Sequence, residues 1–326
     1  MASPQLEEDR QSGIHPPVRE AGPPPPRAEG SLLWRVGGVV KTVRPHQWVK
    51  NVFVLAPVVF AKEIFDPVLL VRAGGAFLVF CLLAGAVYTM NDIADVESDR
   101  EHPVKRYRPI ASGRVPMGFA RGLVVALVAV SLVGASASSF KYMAVAGAYF
   151  ILNVAYSSKL KHVAYLDVGC ISAGFVLRVV GGGFATHISV SSYLLLCTAL
   201  LALFLGFGKR RHEISLLAEG AGAHRASLAQ YNLPLLDQIM GMVTTSVLVA
   251  YTLYTFEAET AIAGPGKMML TVPFVFYFLA RYLYLIHVKK LGGAPDELLL
   301  KDKPLFVNTV LWMLAVVVLI YVQWPG

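Results

Sequence analysis

The sequence predicts an all-α integral membrane protein, and three observations carry that prediction. Of 326 residues, 56% are hydrophobic and only 15% charged, where a water-soluble chain carries about 25%. The mean hydropathy is +0.57. The apolar residues also fall into runs of the length needed to cross a bilayer, roughly 20 residues each. Disorder, fibrous repeats and a secreted disulfide scaffold are excluded for the bulk of the chain.

Residues 1–30 stand apart. They hold seven of the nineteen prolines, including Pro23 to Pro26, and a net charge of −2, which leaves +10 on the remainder. A disordered, Pro-rich tail is expected there. It lacks the apolar core of a signal peptide. From residue 31 to 326 a single membrane domain is expected.

Nine spans are predicted, at 46–64, 68–90, 117–138, 140–157, 165–186, 190–208, 236–256, 269–287 and 305–323. The first is the weakest, because Pro57 interrupts it and Lys50 enters it. Fifteen Lys and Arg fall in the loops of one face: Arg100, Lys105, Arg106, Arg108, Arg114, Lys159, Lys161, Lys209, Arg210, Arg211, Arg225, Lys289, Lys290, Lys301 and Lys303. Only Lys62, Lys141 and Lys267 lie clearly in loops of the other. The positive-inside rule then puts the N-terminus in the cytoplasm and the C-terminus outside. Cys81, Cys170 and Cys197 all lie in apolar stretches and are expected as small buried hydrophobes.

Topology explains the excess of positive residues but not the acids among them. Asn91 to Arg108 reads NDIADVESDREHPVKRYR. If the second span continues as a helix to Pro103, Asp92, Asp95 and Asp99 fall at i, i+3 and i+7, with Asn91 four residues before Asp95. That spacing places all four on one helical face. Stacked carboxylates repel unless a cation lies between them. Hard oxygen ligands at such a boundary suit Mg²⁺, which bridges to substrate phosphates, and nearby arginines and lysines would neutralise the remaining phosphate oxygens. Tyr156 to Asp167, YSSKLKHVAYLD, repeats the theme with Tyr156, Lys159, Lys161 and Asp167. Arg178 lies three turns after Asp167, on the same face. It is a functional candidate by virtue of its place inside the membrane, or else the partner of a buried acid. His212-Glu213 lacks the second histidine of a zinc-protease motif, no phosphate-binding Gly-Lys-Ser/Thr loop occurs, and Gly181 to Gly183 read as a site of close helix packing.

Asn91-Asp92-x-x-Asp95-x-x-x-Asp99 resembles the first Asp-rich motif of the UbiA superfamily of membrane prenyltransferases, and Tyr156 to Asp167 resembles the second, here with one acid where many relatives have two. The resemblance implies nine transmembrane helices around a central cavity. RPHQWVKN (Arg44 to Asn51), NDIADVESDREHPVKRYRPIASG, YSSKLKH, GFGKRRHE (Gly206 to Glu213), HRASLAQY (His224 to Tyr231) and KDKPLF (Lys301 to Phe306) are similar to the decaprenyl-phosphate phosphoribosyltransferase branch. That branch implies transfer of 5-phosphoribose from phosphoribosyl pyrophosphate to a polyprenyl (decaprenyl) phosphate in a bacterial inner membrane, a step toward the arabinose donor of cell-wall arabinan. Mg²⁺, or Mn²⁺ in its place, is then expected on Asn91, Asp92, Asp95 and Asp99. Phosphates are expected on cations drawn from Arg44, Lys50, Lys105, Arg106, Arg108, Lys159, Lys161, Lys209 and Arg210, with Asn51, Tyr156 and Arg178 lining the substrate. Asp167 could order a ribose hydroxyl or complete the metal site. The expected partners are these two substrates and the lipid bilayer, with no nucleic acid and with a homo-oligomer allowed. An aromatic polyprenyltransferase of the 4-hydroxybenzoate type is the main alternative, since it shares the Asp-rich motifs but needs fewer cations. An anion transporter is the remote one, and would favour broken helices at mid-membrane.

Overall fold

The structure is a computed structural model that describes residues 31–218, 226–258 and 267–322; the tail expected at 1–30, and Arg225, lie outside them. All regular elements among the described residues are helices. Seven of them are long and apolar enough to cross a membrane: α3 (Pro67–Ala94), α5 (Met117–Ser138), α7 (Leu166–Thr186), α8 (Ser192–Ala218), α9 (Leu233–Ala258), α10 (Val272–His287, preceded by a 3₁₀ turn at Met268–Thr271) and α12 (Lys303–Tyr321). The shorter helices are α1 (Leu32–Val43), α2 (Ala56–Phe60), α4 (Val96–Glu101), α6 (Phe140–Ser158) and α11 (Pro295–Lys301).

Two of the nine expected spans are not among these seven. The fourth expected span is the regular 19-residue helix α6, but Lys141, Tyr142, Tyr149, Asn153 and Tyr156 make it too polar to count among the seven. The first expected span, 46–64, is not one α-helix. It is a 3₁₀ helix over Pro45–Leu55 followed by the single-turn α2. Pro57 has no N–H to offer the Phe53 carbonyl, which instead accepts from Ala56. Eleven residues is long for a 3₁₀ helix, so this one depends on its neighbours. It lies against α3 and α7, and Val54 is fully buried. At Gly182 an added Cβ would fall 2.0 Å from the Val54 carbonyl oxygen. Only glycine lets the backbones approach so closely, as the packing role expected of Gly181 to Gly183 requires.

Local signals account for the helix starts. Ser31 accepts from the Trp34 N–H to begin α1, Asp66 accepts from Val68 and Leu69 to begin α3, Ser139 caps α6 and Asp302 caps α12. Two helices overrun their expected ends by a turn or more: α3 reaches Ala94, and α8 reaches Ala218, so Lys209, Arg210 and Arg211 are helical rather than in a loop.

Packing follows chain order. Phe80, Leu83, Tyr142, Ala146 and Tyr149 form the core of α3, α5, α6 and α7. Phe204, Leu236, Met240, Leu279 and Ile286 form that of α8 to α12, and α7 packs on α8 to join the halves. The first and last segments close the ring. The Tyr321 hydroxyl donates to the Val59 carbonyl at 2.9 Å and accepts from the Ile64 N–H at 3.2 Å, with Phe65 edge-on to its ring.

Candidate active site

Asp92 and Asp99 lie where α3 gives way to α4. The i→i−4 backbone bonds run through the junction, from Asp95 N–H to Asn91 O and from Asp99 N–H to Asp95 O. Helical hydrogen bonding thus continues through the junction although Asp95 itself leaves helical geometry, and of the four residues expected on one face Asp92 and Asp99 are the two brought together. Asp92 and Asp99 are buried, Asn91 is half-buried and Asp95 is exposed.

Two arginines meet these acids. Arg44 closes α1 in the left-handed region (φ 55°). That turn brings its guanidinium over the Tyr88 ring and within 2.5 Å of Asp92 Oδ1. Arg108 donates from a single nitrogen, Nη1, to Asp99 Oδ2 at 2.7 Å and to Asp92 Oδ1 at 3.2 Å. The loop that delivers Arg108 is itself fixed: Val115 N–H bonds the Pro109 carbonyl at 2.8 Å, Gly113 takes φ 74° to make the turn, and Arg100 Nε donates to Ala111 O at 3.2 Å. His102 Nδ1 accepts from Val104 and Lys105 N–H, shaping the step into that loop. Lys105 and Arg106 are exposed, and Arg106 rests on Tyr107.

The residues fit a divalent cation in one specific sense. Among the described residues no three of His, Cys, Asp and Glu are grouped to hold a metal by themselves. Yet Asp92 and Asp99 converge on one cationic nitrogen, and their oxygens, with the Asn91 amide, are the hard donors Mg²⁺ takes. A cation held by two carboxylates and completed by water and phosphate oxygens is the usual state of Mg²⁺.

Asp167 belongs to a different network. It is fully buried at the first turn of α7 and pairs with Arg210 Nε at 2.7 Å. Tyr231 donates to its Oδ1 at 3.0 Å and Ser227 to its Oδ2 at 3.3 Å. Arg210 also pairs with Glu213. Both Asp167 oxygens thus already have protein partners. Burial raises the Tyr231 phenol well above its usual range, and the adjacent Asp167 charge adds to that. Lys159 is exposed, while Tyr156, Lys161 and Lys209 are half-buried nearby in sequence.

A third group lies deeper. Arg178 Nε donates to Asn51 Oδ1 at 2.7 Å, Nη2 to the Tyr149 hydroxyl at 2.7 Å and Nη1 to the Gly174 carbonyl at 3.0 Å, with its guanidinium over the Tyr149 and Phe175 rings. Asn51 donates in turn to Cys81. Arg178 and Cys81 are each eleven residues from Asp167 and Asp92, about 16 Å along their helices. Among the described residues no acid pairs with Arg178, so a buried Asp167–Arg178 pair is excluded. The structure thus gathers Arg44, Asp92, Asp99 and Arg108 in one site, Asp167 with Arg210 in a second and Asn51 with Arg178 in a third. Tyr149 was missed by the sequence reading; its only signal is a position seven residues after Tyr142 on one helical face.

Residues 52–299 match the UbiA prenyltransferase family. The chain is 41% identical over 294 residues to a decaprenyl-phosphate phosphoribosyltransferase of Corynebacterium glutamicum, covering 88% of this chain and 87% of that one. It is 37% identical over 286 residues to the Mycobacterium tuberculosis H37Rv protein of the same name, covering 86% and 93%. Its fold is similar to that of a UbiA homolog from Archaeoglobus fulgidus bound to DMAPP and Mg²⁺, with a TM-score of 0.65, 17% identity and coverage of 88% of this chain and 100% of that one.

Proposed function

The chain belongs to the UbiA prenyltransferase family, and we propose that within it this protein transfers 5-phosphoribose from phosphoribosyl pyrophosphate to decaprenyl phosphate, releasing pyrophosphate. The observation that carries this reading is the likeness, over nearly the whole chain, to two decaprenyl-phosphate phosphoribosyltransferases. The product would be a precursor of the arabinose donor for cell-wall arabinan. The protein is a multi-pass membrane protein; the reading places it in a bacterial inner membrane with the charged end of the bundle and the N-terminus cytoplasmic and the C-terminus outside.

In the reaction the bond from ribose C1 to the pyrophosphate oxygen breaks, its electron pair leaving on pyrophosphate. An oxygen of the lipid phosphate forms the new bond to C1. No general base is required, because the lipid phosphate is already ionised. On this reading Asn91, Asp92, Asp95 and Asp99 hold Mg²⁺. The ion, when bound, neutralises charge on the departing pyrophosphate, as is consistent with the Mg²⁺ bound to the Archaeoglobus relative; Mn²⁺ is expected to substitute.

Arg44 and Arg108 hold the two buried carboxylates in place and present their remaining N–H groups to phosphate oxygens. Lys50, Lys105, Arg106, Tyr156, Lys159, Lys161 and Lys209 supply contacts to the 5-phosphate and the lipid phosphate. Two anions besides the pyrophosphate require this surplus of cations, which an aromatic acceptor would not. Asn51 and Arg178 act from below by fixing the 3₁₀ segment that carries Arg44 and Lys50. Asp167 and Arg210 hold the first turn of α7 against α8.

The test is a paired assay on detergent-solubilised protein with Mg²⁺. One reaction receives labelled phosphoribosyl pyrophosphate and decaprenyl phosphate, the other a polyprenyl diphosphate and 4-hydroxybenzoate. Labelled lipid in the first alone, lost on adding EDTA, is the expected result. Product in the second alone would overturn the donor and acceptor while keeping the family.

A further inference from the structure

Helix α1 carries a surface that the reaction does not use. Its two ends are tied to the end of the bundle that holds the charged site. At one end the Trp34 carbonyl accepts from Arg114 Nε and Nη2 at 2.8 and 2.5 Å, just before α5 begins. Gly37 and Gly38 leave room for that same side chain, since a Cβ on either would lie within 3 Å of it. At the other end Val43 packs on Gly85 of α3, and Arg44 reaches on to Asp92. Between them Val39 packs against the cluster of Ile110, Val115 and Ala120. A twelve-residue helix, about 18 Å long, that is held at the charged end of α3 and by the loop before α5 is too short to cross the bilayer.

Leu33, Val36 and Val40 are nevertheless 83%, 49% and 52% exposed. Their spacing of i, i+3 and i+7 makes one apolar stripe. Arg35 and Lys41, both exposed, stand on the same short helix. The spanning helices fix the depth of the surrounding lipid, so this stripe sits where headgroups meet acyl chains. We propose that α1 is an in-plane amphipathic anchor seated in an anionic phospholipid leaflet, with the stripe in the acyl boundary and Arg35 and Lys41 on headgroup phosphates. Because Arg44 is the residue that ends α1, the seating of this helix also sets the position of the guanidinium that holds Asp92.

The anchor is tested without reference to turnover by a nitroxide at Val36→Cys, with Cys170 and Cys197 replaced by alanine and Cys81 left buried. The protein is reconstituted in phosphatidylcholine vesicles containing phosphatidylglycerol. Collisions with oxygen that exceed those with a water-soluble nickel chelate are expected. A nickel-dominated signal would put the stripe in water, and spin–spin broadening would put it against a second copy of the chain; either overturns the proposal. For the link to Arg44, wild-type transferase activity should rise when phosphatidylglycerol is added to phosphatidylcholine, and the double variant Arg35→Gln/Lys41→Gln should lose that rise while keeping its activity in phosphatidylcholine alone. Equal gains in both proteins would sever the lipid from the site.

Discussion

The Asp92–Asp99 and Asp167 networks stand at the same end of the bundle and use the same chemistry, carboxylate against guanidinium, to opposite effect. Arg44 and Arg108 are 26% and 29% exposed where they meet Asp92 and Asp99, so each keeps N–H groups turned toward water. Arg210 is 1% exposed and Asp167 not at all, and Ser227 and Tyr231 occupy the carboxylate from other directions. One network can exchange partners when an anion arrives. The other is closed on all sides, and a closed ion pair holds helices in place better than it handles substrate.

The sharpest way to break this contrast is in the open network. Asp95→Asn, at the exposed acid assigned to the same metal beside that network, should abolish turnover in a protein that still folds, and Asp92→Asn should lower kcat by about 100-fold or more; steady-state rates with size-exclusion profiles check both, and wild-type activity in either would remove the metal assignment. In the closed network the loss should appear as instability. Asp167→Ala leaves Arg210 with Glu213 alone and should cost about 3 kcal/mol, read by thermal unfolding in detergent. Should Asp167→Asn instead unfold normally and lose turnover as Asp92→Asn does, the division into working and holding networks would fail.

Smaller changes sharpen the boundary. Lys159→Ala, at an exposed site, should raise KM for one phosphate substrate several-fold with kcat little changed, as for a contact made equally in the ground and transition states; unaltered kinetics would return Lys159 to a topological role. The least effect belongs to the peripheral pair Arg281–Asp302, bonded at 2.9 and 3.2 Å. The Arg281 guanidinium holds the Asp302 carboxyl below the usual carboxylate range. Its contribution is therefore present above the unfolded pKa, about 4, and fades as pH falls through the lower folded value. Arg281→Gln should cost under about 1 kcal/mol at pH 7, and the gap in unfolding temperature to wild type should close toward pH 3.

Long apolar helices such as α3, α5 and α12 were legible in the sequence because composition alone decides them. The segment 46–64 was not, since an eleven-residue 3₁₀ helix exists by virtue of Gly182 on α7, far away in the chain. Asp92 and Asp99 could be placed on one face by spacing. That Arg108, and not Lys105 or Arg106, would bridge them depends on the turn at Gly113. The position of Arg178 as a candidate was readable, but its partners Asn51 and Tyr149 come from two other segments, and neither carries the charge that a search for its counter-ion would follow. For Asp167 the motif suggested a ligand, whereas its surroundings are supplied by Ser227 and Tyr231, some sixty residues later.

The closure of the ring by Tyr321 sets a timetable for the newborn chain. Val59 must wait for a partner 262 residues downstream, and Asn51 for one 127 residues downstream. At about 5–20 residues per second of synthesis, Arg178 follows Asn51 by roughly 6–25 s and Tyr321 follows Val59 by roughly 13–52 s. The stretch bearing Arg44 and Lys50 therefore leaves the ribosome early and is secured only when α7 follows it, so a ribosome that stalls before α7 is made leaves this stretch at the membrane without the arginine that secures it.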